Sequence, residues 1–142
     1  MRRKLALIFG TPIFIALIVT YFYKERVEQT LLTEDKSDLI SVITPLPGEL
    51  VASPLIIEGE ARGYWYFEGD FPVILLDENR EQIALAIAQS QGEWMTEDFV
   101  PFEAELEFEA PESDMGFLIL RKDNPSDIPE LDDEIEIKIK FR

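Results

Sequence analysis

At 142 residues the chain has room for one domain and a short extra element. It contains no cysteine and no histidine. That excludes a disulfide framework, a thiolate nucleophile, lipid attachment through cysteine, the usual zinc sites, and Ser-His-Asp or Cys-His catalysis. The net charge of −16 is unevenly placed: the first 26 residues hold five bases against Glu25 alone, and the remainder holds eight bases against 28 acids. Such a field repels nucleic acid and anionic headgroups and favours cations or a basic partner.

Leu5 to Tyr23 (LALIFGTPIFIALIVTYFY) carries no charge over 19 positions. A helix of that length spans roughly 28 Å, the thickness of a hydrocarbon core. Pro12 is tolerated in a spanning helix, and Tyr21, Phe22 and Tyr23 suit the headgroup level at its far end. Arg2, Arg3 and Lys4 flank one side, while Lys24 and Arg26 alternate with Glu25 and Glu28 on the other. The positive-inside rule then puts the N-terminus in the cytoplasm. The expected arrangement is a single-pass protein of the cytoplasmic membrane, held through residues 5–23, with its C-terminal domain extracytoplasmic. A cleaved signal peptide is the competing reading, against which stand the length of the apolar run and the missing small-x-small cleavage site. Residues 24–38 are polar, lack glycine and proline, and read as a stalk.

From Leu39 the pattern changes to the alternation of half-buried strands. Strands are expected near Leu39 to Thr44, Leu50 to Ala52 with Leu55 to Arg62, Phe71 to Asp77, Gln82 to Gln89, Phe102 to Phe108, Gly116 to Lys122, and Glu134 to Phe141. In the last, Ile135, Ile137, Ile139 and Phe141 face one way and Glu136, Lys138 and Lys140 the other. Turn chemistry separates them at Pro45, Pro47 and Gly48, at Asp77 to Arg80, at Gln91-Gly92, at Pro111 and at Asp123 to Pro125. About seven strands in roughly 100 residues, without a second helical pattern, predict an all-β fold: an antiparallel immunoglobulin-like sandwich over residues 39–142.

Two aromatic clusters stand out. Gly63-Tyr64-Trp65-Tyr66-Phe67-Glu68-Gly69 falls at the expected crossing between sheets, where strand alternation buries two of the four rings and leaves two outside. Trp94, Met95 and Phe99, with Glu93, Glu97 and Asp98, lie in what reads as the longest loop. Should the clusters meet, Tyr64, Trp65, Tyr66, Glu68, Trp94 and Phe99 form an apolar and acidic surface able to grip a peptide or a glycan. The bland reading of the same residues is core packing. Asp123, Asn124, Glu130, Asp132 and Asp133 are oxygen ligands of the kind calcium prefers, without EF-hand spacing; a solvated acidic loop is the alternative. No other cofactor is implied. No catalytic residue is singled out, because carboxylates are too abundant to mark a glycosidase pair, and Ser53, Ser90 and Ser126 lack a nucleophile-elbow context.

Three blocks carry a family resemblance: TPLPGELVASPLIIEGEARGYWYFEGDFPVILLDEN from Thr44, QGEWMTEDFVPFEAELEF from Gln91, and LILRKDNPSDIPELDDEIEI from Leu118. Together they make Ser41 to Phe141 resemble Gmad2, a bacterial immunoglobulin-like domain associated with spore-germination proteins of the GerMN type. The resemblance implies a β-sandwich on the outer side of the cytoplasmic membrane, in a family with no established enzymatic activity. The GerMN partner domain is not found in this chain, so a general role in the cell envelope is expected rather than germination itself. The reading is a membrane-anchored, non-catalytic binding module whose partner is an envelope protein or a wall glycan. An assembly subunit that pairs edge strands is the alternative, and a carboxylate-based hydrolase the remote one.

Overall fold

A computed structural model describes residues 18–21 and 35–142. Residues 18–21 are helical. The rest of the expected membrane helix and stalk residues 24–34 lie outside the described residues, and among the described ones no helix is long and apolar enough to cross a membrane. Lys36–Arg142 forms a compact unit. Lys36 to Asp38, expected to end the stalk, make the turn that enters the first strand, with Lys36 O accepting from the amides of Leu39 and Ile40.

Seven strands follow: β1 (Ile40–Thr44), β2 (Leu55–Arg62), β3 (Asp70–Asp77), β4 (Gln82–Ser90), β5 (Phe99–Leu106), β6 (Met115–Arg121) and β7 (Glu134–Lys140). Every pairing is antiparallel, in the order β1-β2-β5-β4-β3-β6-β7. The link between β5 and β4 is narrow, formed only by Gln89 opposite Glu103 and Ser90 opposite Phe102. There the ladder folds over into two layers, β1-β2-β5 and β4-β3-β6-β7.

Ring contacts establish the folding. Neighbouring strands lie about 4.8 Å apart, so β5 and β7, four places apart in the order, would be separated by nearly 20 Å in a flat sheet. Phe108, just after β5, instead meets Phe141, just after β7, with ring centroids 5.8 Å apart. Phe71 of β3 meets Phe102 of β5 edge-on at 5.0 Å. Between the layers lie alternate residues of both: Ile57, Ala61, Phe102, Ala104 and Leu106 from one, and Phe71, Val73, Leu75, Leu118, Leu120, Ile137 and Ile139 from the other. Among the described residues every buried member of this core falls between Ile40 and Ile139.

The expected strand Leu50 to Ala52 does not extend β2. Residues 48–51 run instead along β7 in parallel, through Gly48 N to Lys138 O, Lys140 N to Glu49 O and Val51 N to Lys140 O. The chain leaves one layer after β1 and covers the edge of the other. β5 begins at Phe99, three residues earlier than expected, and ends at Leu106.

Candidate functional site

The segment after β2 crosses from one layer to the other, and its first step is a 3-10 turn at Gly63–Trp65 rather than a strand. A strand would bury alternate rings, but the tight turn aims two neighbours inward. Trp65 is 0% and Tyr66 3% exposed, whereas Tyr64 is 50% and Phe67 40% exposed. This corrects the sequence-based site: Trp65 and Tyr66 are core residues that no partner reaches. Tyr66 packs against Phe71 in a tilted ring contact with centroids 5.3 Å apart and donates its hydroxyl to Val100 O at 2.6 Å. Burial pushes its phenol well above the ordinary value, with the charge of Glu60 adding to the effect.

Phe67 and Asp70 then close a two-residue turn, each amide donating to the other's carbonyl (3.0 and 3.2 Å). Its central residues Glu68 and Gly69 both have positive φ, 52° and 88°, as a type I′ hairpin turn demands. Glu68 is thereby presented at an exposed tip.

The two aromatic clusters do meet, through the glycines that bracket the first. A Cβ on Gly63 would sit 1.9 Å from Thr96 O and 2.3 Å from Trp94 O, and one on Gly69 would touch the Trp94 ring at 3.2 Å. Residues 91–98, between β4 and β5, therefore lie directly against the crossing turn because neither glycine has a side chain to hold them off. The contact is fixed by Gly63 N donating to Asp98 O at 3.1 Å and by Thr96, whose amide bonds Trp94 O and whose hydroxyl accepts from Asp98 N. Arg62 lies 4.0 Å over the Phe99 ring and donates to Asp38 O and Glu97 O, so Phe99 is half-covered by its own strand neighbour. On these two segments Tyr64, Phe67 and Met95 are exposed and Trp94 partly so, and the same segments carry the exposed Glu68, Glu93, Glu97 and Asp98. Phe67 and Met95 were not among the expected site residues. The exposure of Phe67 follows from the turn, which a period-two reading does not contain, while Met95 is exposed on the β4–β5 loop.

The β4–β5 connection is not the longest; that is the β6–β7 connection at 122–133, which carries the acidic run. There the expected calcium ligands do not converge. Asn124 spends its amide on Ile128 O and Asp132 Oδ1 (2.9 and 2.8 Å) and its oxygen on Ser126. Asp133 pairs with Lys36, whose ammonium also reaches Glu134 O. Glu130 lies in a separate exposed 3-10 turn, Pro129–Leu131. Among the described residues no group of three or more His, Cys, Asp or Glu side chains is placed to hold a metal. Asp123 points elsewhere: its amide bonds Trp65 O at 3.1 Å, and partial burial, reinforced by the charge of Asp70, raises its carboxyl above the ordinary value.

No curated protein and no solved structure matches this chain. A family model does, that of the immunoglobulin-like domain of bacterial spore germination, over residues 39–128, from the turn before β1 to the middle of the β6–β7 connection. Six of the seven antiparallel strands, β1 to β6, lie within that stretch, and the chain belongs to the Gmad2 family of immunoglobulin-like domains.

Proposed function

We propose that the chain is a membrane-held, extracytoplasmic binding module that takes a basic, aromatic-bearing segment of another envelope protein on the surface where the crossing turn meets the β4–β5 loop. The observation that carries this reading is that two segments in contact through Gly63 and Gly69 both expose large apolar groups, Tyr64, Phe67 and Met95, and carboxylates, Glu68, Glu93, Glu97 and Asp98. Large apolar groups at a polar rim are what protein-binding surfaces offer, and the sign of the rim selects a cationic partner. Membrane attachment rests on the charge-free run at 5–23. The family's association with spore germination makes germination proteins the first partners to try. The role is read as non-catalytic, in keeping with membership of the Gmad2 family of immunoglobulin-like domains.

A synthetic peptide alternating lysine with phenylalanine, titrated against residues 36–142, tests the surface. Binding followed by Trp94 fluorescence is expected to weaken about tenfold in Tyr64→Ala and in Met95→Asp. It is also expected to weaken as salt is added. Equal affinity for a glutamate-for-lysine peptide, or unchanged affinity in both variants, sinks the reading. Attachment is tested separately: the full chain is expected to stay with vesicles through alkaline extraction, and its release would remove the anchor.

A further inference from the structure

β1 and β5 flank β2, and both begin at the end where β2 finishes. The segments just before them are the chain entry at Lys36 to Asp38 and the return of the β4–β5 loop at Glu97 and Asp98, and Arg62 stands between the two. Its main chain begins the bridge: Arg62 N donates to Leu39 O at 2.8 Å, and the next amide, Gly63 N, donates to Asp98 O at 3.1 Å. The guanidinium repeats the bridge one residue further out on each side. Nε donates to Asp38 O at 2.9 Å and Nη1 to Glu97 O at 3.3 Å. The Phe99 ring, 4.0 Å from Cζ, supports the plane in which those donors point. The entry is also held from the other sheet, where Lys36 Nζ pairs with Asp133 and donates to Glu134 O at 3.2 Å.

We infer that Arg62 is a positioning residue that ties the chain entry to the aromatic surface, so that the two loosen or tighten together. The inference rests on the reading of that surface as the partner site. A partner settled on Tyr64 and Met95 holds the β4–β5 loop in place. Through Glu97 O, Arg62 and Asp38 O it then steadies the segment by which the domain joins everything before residue 36. Coupling of this kind is reciprocal, so an entry worked loose weakens the partner by the factor with which the partner steadies the entry.

The chemistry of the bridge calls for arginine. Both acceptors are main-chain carbonyls, set on opposite sides of the β2 end. A guanidinium presents donors in a rigid planar fork that can serve two such groups and lie on a ring at once. A lysine ammonium is a point charge on a flexible stem and cannot fix both directions. Arg62→Lys therefore keeps the charge and removes the bridge.

Hydrogen exchange on the full chain tests the tie without a partner. Arg62→Lys is expected to speed exchange of the Leu39 and Ile40 amides on the entry side and of the Gly63 amide on the loop side, each about fivefold. Leu118, buried in β6, should exchange as in the parent, which separates local loosening from general destabilisation. Lys36→Ala alters only the entry, yet is expected to speed Gly63 about threefold, and to add nothing once Arg62→Lys is present. A Gly63 amide unmoved by either substitution overturns the inference, as does a Lys36→Ala effect that persists undiminished beside Arg62→Lys. The lysine–phenylalanine peptide extends the test to the surface. Lys36→Ala removes a positive charge, which by itself favours a basic peptide, so the weakening of about threefold expected in its affinity reports the tie rather than the charge. Affinity equal to the parent's or higher breaks the link from entry to surface. Failure of the peptide to bind the parent chain removes the proposed function, and the exchange rates alone then decide whether Arg62 joins entry and loop.

Discussion

The two sheets bury similar residues between them and present opposite outer faces. On the three-stranded sheet the outward residues of β2 and β5 include Glu58, Glu60, Glu103 and Glu105, and the register sets Glu58 directly against Glu103. On the four-stranded sheet the corresponding positions are Pro72 against Ile87, Ile74 against Leu85 and Ile119, and Leu76 against Phe117. That apolar strip ends at β7, where Arg80 lies 4.5 Å over the Phe117 ring and grips Glu136 with both terminal nitrogens (2.8 and 3.1 Å). One face is thus built to stay in water, with a like-charge pair that costs stability. The other is closed by a cation at one side and left open at β4 on the other. Composition alone, averaged over both, describes neither.

A carboxylate added to the apolar face is the hardest blow to this contrast. Ile74 is nearly covered although it points outward, and its cross-strand neighbours are Leu85 and Ile119, so Ile74→Asp strands an unpaired charge among aliphatic side chains. The expected loss is about 3 kcal/mol in chemical denaturation of residues 36–142. A loss near zero would mean that this face is not apolar in the folded protein.

The reverse change belongs on the other sheet and is smaller. Glu103→Lys replaces the repulsion across from Glu58 with an attraction, and is expected to stabilise the domain by about 0.5 kcal/mol. The gain should fade at high salt because the pair is solvated. Destabilisation at low salt would show that Glu58 and Glu103 are not opposed.

How far the sequence reveals these faces depends on the range of the interactions. Alternation is local, so β4, β6 and β7 could be placed to within a residue or so at their ends. β5 was expected late because Phe99 and Pro101 read as loop; in the ladder they oppose Arg62 and Glu60, a partnership set 37 or more residues away. Leu50 to Ala52 carries strand-like residues but takes its partner from the far end of the chain. The aromatic site was half legible. Glycines at 63 and 69 marked a close approach, yet which rings turn inward depends on a 3-10 turn that no alternation announces. The uncharged composition of β4 was in plain view, but its being an edge depends on where β5 departs. That is a property of the whole topology.

The end of the four-stranded sheet nearest Trp65 offers a finer test of whether repulsion is confined to the acidic face. Asp70 opens β3 and Asp123 follows β6, so two carboxyls come near each other beside a buried indole. Because partial burial first, and Asp70 second, raise the Asp123 carboxyl above its unfolded value of 3.8, ionising it weakens the folded state. The stability that Asp123 contributes is thus complete below pH 3.8 and is lost as pH rises through its folded value. Asp123→Asn is therefore expected to melt slightly higher than the parent at neutral pH, since the amide carries no charge to bury or repel. The difference should close as pH falls toward the unfolded value, where the parent carboxyl is protonated as well. An advantage that is independent of pH would point to packing or hydrogen bonding instead, and would confine the cost of crowded carboxylates to the face of β2 and β5.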